Sequence, residues 1–303
     1  MNADHARFST SRLVNLTATA AAARRTPFEL LLLAAIWGAS FLFMRVAAAA
    51  FGAFALVEIR LCLGALVLLP FTVGTLRRMP REVWLRLAGV AFVNTAAPFL
   101  LFAWAAQRAP AGVVAITNAT TVMFTALFAR LMYGERIAAR RIAGLVCGFV
   151  GVATLASGNG GGQSILAAVL AGTSGSILYG LGANLSARQL VPRLAPSAIA
   201  AGTLSVSAVL LAPVAALRWP AAPIAPVAWL SAAGLGLLCT GTAYLLYYRI
   251  MHKIGAAGVS TVTYLIPLFG VLWAWVLLGE RLTATTAFSG ALILGGVFLS
   301  QRR

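Results

Sequence analysis

The 303-residue sequence predicts an all-α membrane protein with ten transmembrane helices in two inverted five-helix repeats. Three observations predict it. Hydrophobic residues make up 61% of the chain, charged residues only 10%, and mean hydropathy is +0.93. A soluble domain could not hide that much apolar surface. A Gly-Glu-Arg turn follows a long apolar run twice, at 134–136 in LMYGERIAARR and at 279–281 in LLGERLTATT. Arginine, finally, is unequally shared between the loops on the two sides of the expected membrane.

A span needs roughly 20 apolar residues rising 1.5 Å each. Such segments lie near 28–48, 52–73, 84–106, 110–131, 138–156, 164–186, 197–217, 228–250, 256–278 and 285–301. The glycines and prolines within them are tolerable in packed membrane helices. Residues 1–27 form a polar, basic, alanine-rich tail expected to be disordered in the cytoplasm; a full-length span follows it, so a cleaved signal peptide is not expected. The first repeat covers 28–157 and the second 164–301. Cys62, Cys147 and Cys239 fall inside apolar segments, with neither a disulfide framework nor metal-ligand spacing. No cofactor or metal is expected.

The net charge of +17 could suggest a nucleic-acid partner. Its distribution argues otherwise. With a cytoplasmic N-terminus, every Lys and Arg lies inside except Arg108, Arg218 and Arg281 outside, and Arg45 and Arg60 within spans. This is the positive-inside signature, and it puts both termini in the cytoplasm. The charge orients the protein in the bilayer and needs no nucleic acid to explain it.

Residues 94–135 align with 240–280 at an offset of 146, slipping to 145 before Gly-Glu-Arg. Asn94 meets Thr240, Ala111-Gly112-Val113 meets Ala257-Gly258-Val259, and Asn118 meets Tyr264. Five spans per copy is an odd number, so the second copy starts from the opposite side and the copies are inverted. Arg140 and Arg141 have no counterpart among Thr283, Thr285 and Thr286 because the second turn faces the side that should not be positive.

Trp37-Gly38-Ala39-Ser40-Phe41, Ile59-Arg60-Leu61 and the paired Gly-Glu-Arg turns resemble the drug/metabolite transporter superfamily, in its EamA-type branch, over roughly residues 28–301. The resemblance implies export of amino acids, metabolites or toxic compounds, or movement of sugar-type or nucleotide-linked compounds. The sixth span, AGTSGSILYGLGANLSARQL, departs from the pattern by lacking the tryptophan often found there. No phosphate-binding Gly-x-x-x-x-Gly-Lys-Ser/Thr loop occurs, so transport follows a gradient or an ion.

Mid-depth polar and aromatic residues are the substrate-binding candidates. Trp84, Trp104, Trp219, Trp229, Trp273 and Trp275 sit near span ends as belt anchors. Trp37, ten residues into the first span with Ser40 one turn on, either packs the core or lines the pathway. Asn94 lies near the middle of the third span, and Pro98 frees a carbonyl one turn before it. Asn118, Thr121 and Thr125 share a face of the fourth span. Thr240, Tyr244, Tyr247 and Tyr248 form a stripe on the eighth, and Ser260, Tyr264 and Pro267 one on the ninth. Interhelical hydrogen bonding, about 0.6 kcal/mol per contact, is the alternative for these groups. Asn118 and Tyr264 lie about nine residues in from opposite faces, roughly 12–13 Å deep.

Arg45, Glu58 and Arg60 fall in the outer halves of the first two spans. They are expected either to snorkel and pair locally, Glu58 with Arg45, or to form an electropositive outer vestibule for a carboxylate-bearing substrate. Gly144 with Gly148, and Ala291 with Gly295, form small-residue surfaces for close packing within the monomer or for a homodimer contact. The expected function is a secondary transporter of the inner membrane exporting a small amphipathic metabolite such as an amino acid. The alternatives are a multidrug or sugar-type transporter of the same fold, or a membrane-embedded enzyme or scaffold. An enzyme would need clustered His, Asp or Glu at one depth, which the sequence lacks.

Overall fold

The computed structural model describes residues 3–134, 139–157, 162–259 and 262–301. Every regular element among them is helical. Helix α1 (Ala3–Arg77) is broken at Gly52, whose φ of 72° and ψ of 172° let the chain turn between two spans. The backbone of residues 3–25 continues into α1 as helix, where a disordered tail was expected; the alanines at 18 and 20–23 favour helix. Next come α2 (Arg81–Ala91), a π-helical stretch (Phe92–Ala96), α3 (Ala97–Ala106), α4 (Ala111–Ala119) and α5 (Thr121–Tyr133). The second half has α6 (Ala139–Ser157), α7 (Gly162–Gln189), α8 (Pro196–Leu217), α9 (Pro226–Ala233), a second π-helical stretch (Gly234–Thr242), α10 (Ala243–Val259), α11 (Val262–Leu278) and α12 (Ala284–Gln301).

Among the described residues six helical runs are long and apolar enough to cross a membrane, Thr26–Arg77 among them, and Ile142–Ala156, Val262–Leu278 and Ala284–Leu299 are shorter apolar helices. Large apolar side chains such as Leu66, Phe71, Val209 and Leu230 point outward, each more than 60% exposed. Water would penalise so much exposed apolar surface, whereas lipid matches it.

Glycine explains one part of the recurring turn. Gly134 ends α5 and Gly279 follows α11, with φ of 68° and 65°. This left-handed backbone closes a helix C-terminus and costs least in glycine. The Gly134 N–H bonds the Arg130 carbonyl, and the Glu280 N–H reaches back to the Ala274 carbonyl at 3.1 Å. Glu135 and Arg136 lie outside the described residues.

Equivalent helices of the two halves pack on each other: α4 on α11, and α6 on α12. A Cβ added at Gly296 would stand 2.4 Å from the Gly144 carbonyl oxygen and 2.8 Å from the Gly148 nitrogen, so α6 and α12 meet backbone to backbone. This close packing lies within one chain. It corrects the expected pairing in one respect: Gly295 faces open space, and the seam runs through Gly296.

Candidate functional site

A cavity of about 410 Å³ sits among the helices, within the size range of small-molecule sites. Its wall draws on α1, α3, α4 and α5 from the first half and on α7, α10 and α11 from the second. Trp37, Ser40, Asn94, Asn118, Thr121, Tyr244 and Arg60 all line it.

Aromatic rings form much of the wall. The Trp37 ring meets Tyr244 edge-on at 6.3 Å and Tyr247 at 5.5 Å. Tyr179 stacks on Phe102 at 5.6 Å and meets Phe99 edge-on at 6.4 Å. Phe99, Phe102 and Tyr179 went unnoticed in the sequence. The π-helical turn at 92–96 closes one residue later than an α turn, so side chains five apart, Asn94 and Phe99, fall toward one side. The second π stretch holds Thr240, the repeat partner of Asn94, and Cys239, which sits on the wall.

Helix α7 contributes Tyr179 and Ala183, so the sixth span reaches the cavity without a tryptophan. Two side chains fix its register. Ser176 Oγ donates to the Thr117 carbonyl at 2.9 Å, and Asn184 Nδ2 donates to the Thr125 carbonyl at 2.9 Å. Between them Gly182 abuts Asn94: a Cβ there would lie 2.5 Å from Asn94 Cβ. The lone tyrosine in a glycine-rich span was the available signal.

The polar wall groups are unevenly engaged. The Thr121 hydroxyl is enclosed with no hydrogen-bond partner among the described residues, while Thr125 turns back to the Thr121 carbonyl at 2.8 Å. Ser40 lies beside the Cys239 thiol. The side-chain amides of Asn94 and Asn118 make no hydrogen bond to another described residue, leaving donors and acceptors facing the cavity.

Tyr264 is not on this wall. Its ring meets Phe298 of α12 at 6.4 Å and packs beside Met123, Leu145 and Val297. On α11 the wall positions are Val262, Thr263 and Ile266, and Tyr264 is turned one residue further round the helix. Ser260 lies outside the described residues. Trp273, expected as a belt anchor, instead donates its indole N–H to the Ala35 carbonyl at 2.9 Å.

The charged residues separate. Arg45 does not pair with Glu58. Its Nη1 donates to the Ala106 carbonyl at 2.9 Å, and its Nε lies 3.8 Å from Glu280. Glu280 in turn accepts from the backbone N–H groups of Ala111 and Gly112 at 3.0 and 3.4 Å. A cation therefore meets the last carbonyls of α3 and an anion the first amides of α4, as the helix dipoles favour. Glu58 is off the cavity wall and accepts from the Cys62 thiol at 3.2 Å. Arg60, expected in an outer vestibule, is buried in the cavity wall itself.

The comparisons with known proteins agree with this architecture. The EamA-like transporter family matches residues 27–157 and again 166–301. A probable terminal-alkyne amino-acid exporter of Streptantibioticus cattleyicolor is 29% identical over 91% of this chain and 93% of its own. An uncharacterized transporter of Archaeoglobus fulgidus is 25% identical over 92% and 98%, and the uncharacterized transporter YdfC of Bacillus subtilis is 26% identical over 88% and 87%. One crystal structure shares the fold with a TM-score of 0.61 at 22% identity, over 93% of this chain and 96% of its own. These relatives are transporters and not enzymes, in accord with the resemblance first visible in Trp37–Phe41 and the two Gly-Glu-Arg turns. With both halves matched and a bundle of apolar helices around one cavity, the chain is a multi-pass membrane protein that belongs to the EamA-like transporter family.

Proposed function

We propose that the protein is a secondary transporter of the inner membrane that exports a small amphipathic metabolite, such as an amino acid, by alternating access. In this reading ten spans form two inverted five-helix repeats, 28–157 and 164–301, behind a cytoplasmic tail, and both termini are cytoplasmic. The observation that carries it is one cavity walled by both halves, with aromatic faces for an apolar body and unengaged amides and hydroxyls for polar groups. Trp37, Tyr244 and the Phe99–Tyr179 group take the apolar part. Ser40, Asn94, Asn118 and Thr121 take the polar part, with Thr263 where Tyr264 was expected. The amino-acid exporter among the relatives supports the substrate class.

Two charge clusters fit the mechanism. At the beginning of the first span, α1 is tied to α10 by Glu29 with Lys253 and Arg249, and further along it is tied to the turn after α11 by Arg45 with Glu280. Each joins a first-repeat helix to a second-repeat element; both are formed in this structure, and rocking of one repeat against the other would have to loosen each in turn. The test is counterflow of labelled amino acids into liposomes containing only the purified protein. Amphipathic amino acids should exchange above empty liposomes. No exchange across amino acids, sugars and lipophilic cations would sink the transport reading.

A further inference from the structure

Arg60 is a cation without a counter-charge among the described residues. Its side chain lies 9% exposed in the wall of the central cavity. The guanidinium carbon stands 3.6 Å over the Phe99 ring. Nε donates to Thr240 Oγ1 at 3.0 Å, and Nη1 lies 3.8 Å from Met44 Sδ. The Thr240 hydroxyl spends its own proton on the Leu235 carbonyl at 2.8 Å, which leaves its lone pair turned to Arg60. No described residue offers Nη2 an acceptor.

No carboxylate with a described side chain pairs with Arg60, although Glu58 Oε2 is itself enclosed without a partner among the described residues. Glu29 is held by Lys253 and Arg249, Glu82 by Arg86, Glu280 by Arg45 and two amides, and Glu58 by Cys62. None of them lines the cavity. Glu58, two residues from Arg60, projects from another side of the same helix. An arginine cannot shed its proton to escape burial, and an unpaired buried charge is costly. The site is therefore built around a charge that it leaves uncompensated.

We propose that Arg60 is the anion-docking point of the cavity and that the transported molecule carries a single carboxylate seated on its guanidinium fork. The proposal rests on the transport reading above and adds the charge of the substrate. The planar fork matches two carboxylate oxygens. Among the described residues the wall holds no second Lys, Arg or His, so one negative charge is balanced and a doubly charged phosphate monoester is not. Phe99 backs the guanidinium, and Trp37 and Tyr244 leave an aromatic surface for an apolar body. Arg45, neutralised by Glu280, contributes no comparable site.

The test compares N-acetyl-L-phenylalanine with N-acetyl-L-phenylalaninamide, which differ only in carboxylate against carboxamide. Binding to the purified full chain in detergent is read by quenching of intrinsic tryptophan fluorescence and by thermal stabilisation, at fixed chloride. The acid should bind roughly 10- to 100-fold more tightly than the amide, as charge-assisted hydrogen bonds imply. Arg60→Gln should erase that difference and Arg60→Lys retain part of it, with folding checked by size-exclusion profile. Equal binding of acid and amide to the wild-type protein, or a preference that survives Arg60→Gln, overturns the proposal; the wild-type comparison needs no variant to fold. An Arg60-dependent stabilisation by chloride alone, with no acid–amide difference, identifies a halide site and also overturns it. Proteoliposomes separate the two levels. Equal flux of acid and amide refutes anion docking and leaves transport standing, whereas acid binding at Arg60 without flux of any tested solute refutes transport and leaves the docking site.

Discussion

Lys253 donates to both carboxylate oxygens of Glu29 at 2.8 Å, tying the beginning of the first span to the end of α10. Arg249 adds a contact at 3.3 Å from a largely exposed position. Glu29 is buried and Lys253 about one quarter exposed, so the pair falls between a surface ion pair and a buried one. Glu29→Gln and Lys253→Gln should each lower unfolding free energy by about 1–3 kcal/mol in chemical denaturation of the detergent-solubilised protein. The double variant should lose less than the sum of the two, because the partners share one interaction. Strict additivity would mean that the contact contributes nothing.

Neighbouring glycines on α12 give a sharper packing test. At Gly296 an added Cβ meets the backbone of Gly144 and Gly148, which cannot move aside as a side-chain tip can. At Gly295 it meets nothing within 4 Å. Gly296→Ala should separate α6 from α12 and lower stability by about 1–3 kcal/mol, the usual cost of overpacking. Gly295→Ala should be neutral or stabilising by up to about 1 kcal/mol through helix propensity. Thermal unfolding of the two variants side by side checks this, and equal melting temperatures would refute the seam.

The apolar runs and the repeat were legible in the sequence because each rests on local pattern, and so were Trp37, Ser40, Asn94, Asn118, Thr121 and Tyr244 as mid-depth polar or aromatic positions, all of which line the cavity. The glycine of each Gly-Glu-Arg turn is one example: a left-handed helix terminus needs glycine wherever it occurs. The partner of Glu280 was not legible. It caps a helix 169 residues away, and nothing local marks that distance. A local Glu58–Arg45 pair, one of the alternatives for these charges, fails for the same reason. Phe99 was missed because a π-turn shifts the phase of the side chains beyond it, and a regular 3.6-residue period assigns it elsewhere. Tyr264 shows a different limit. Helix α11 is apolar all round, so no polar face fixes its rotation in the bundle, and Thr263 rather than Tyr264 reaches the cavity.

Side-chain contacts group the loops by membrane side. Ser164 Oγ donates to the Arg108 carbonyl at 3.1 Å, and Glu280 accepts from the Ala111 N–H at 3.0 Å, so the starts of α7 and α4 and the turn after α11 share one end. From the arginine asymmetry we expect that end to be external. A cysteine at position 160 should react with a membrane-impermeant maleimide added to intact cells, and one at 139 only after permeabilisation. The reverse labelling pattern would invert the topology. Arginines added at 282–286 should disturb insertion of the final hairpin, read as lower yield of membrane-integrated protein.

The cavity itself is tested by three positions whose surroundings differ. Asn118 faces the cavity with its amide unengaged, and Thr263 lies on the opposite repeat's share of the same wall. Tyr264 is adjacent to Thr263 in sequence but packs against Phe298 near Met123. If polar wall groups hold the substrate, Asn118→Ala and Thr263→Ala should each reduce counterflow by roughly tenfold, the worth of one or two lost hydrogen bonds. Their melting temperatures should stay close to that of the parent, because neither removes packed apolar volume. Tyr264→Ala should behave oppositely: removing a large ring from a helix interface lowers stability by about 2–4 kcal/mol, in line with other large-to-small changes, while flux per folded molecule stays near normal. Cysteines at 118 and 263 should also be shielded from a small methanethiosulfonate reagent by a transported amino acid, and one at 264 should not. Flux loss at 264 together with normal flux at 118 and 263 would move the substrate away from this cavity.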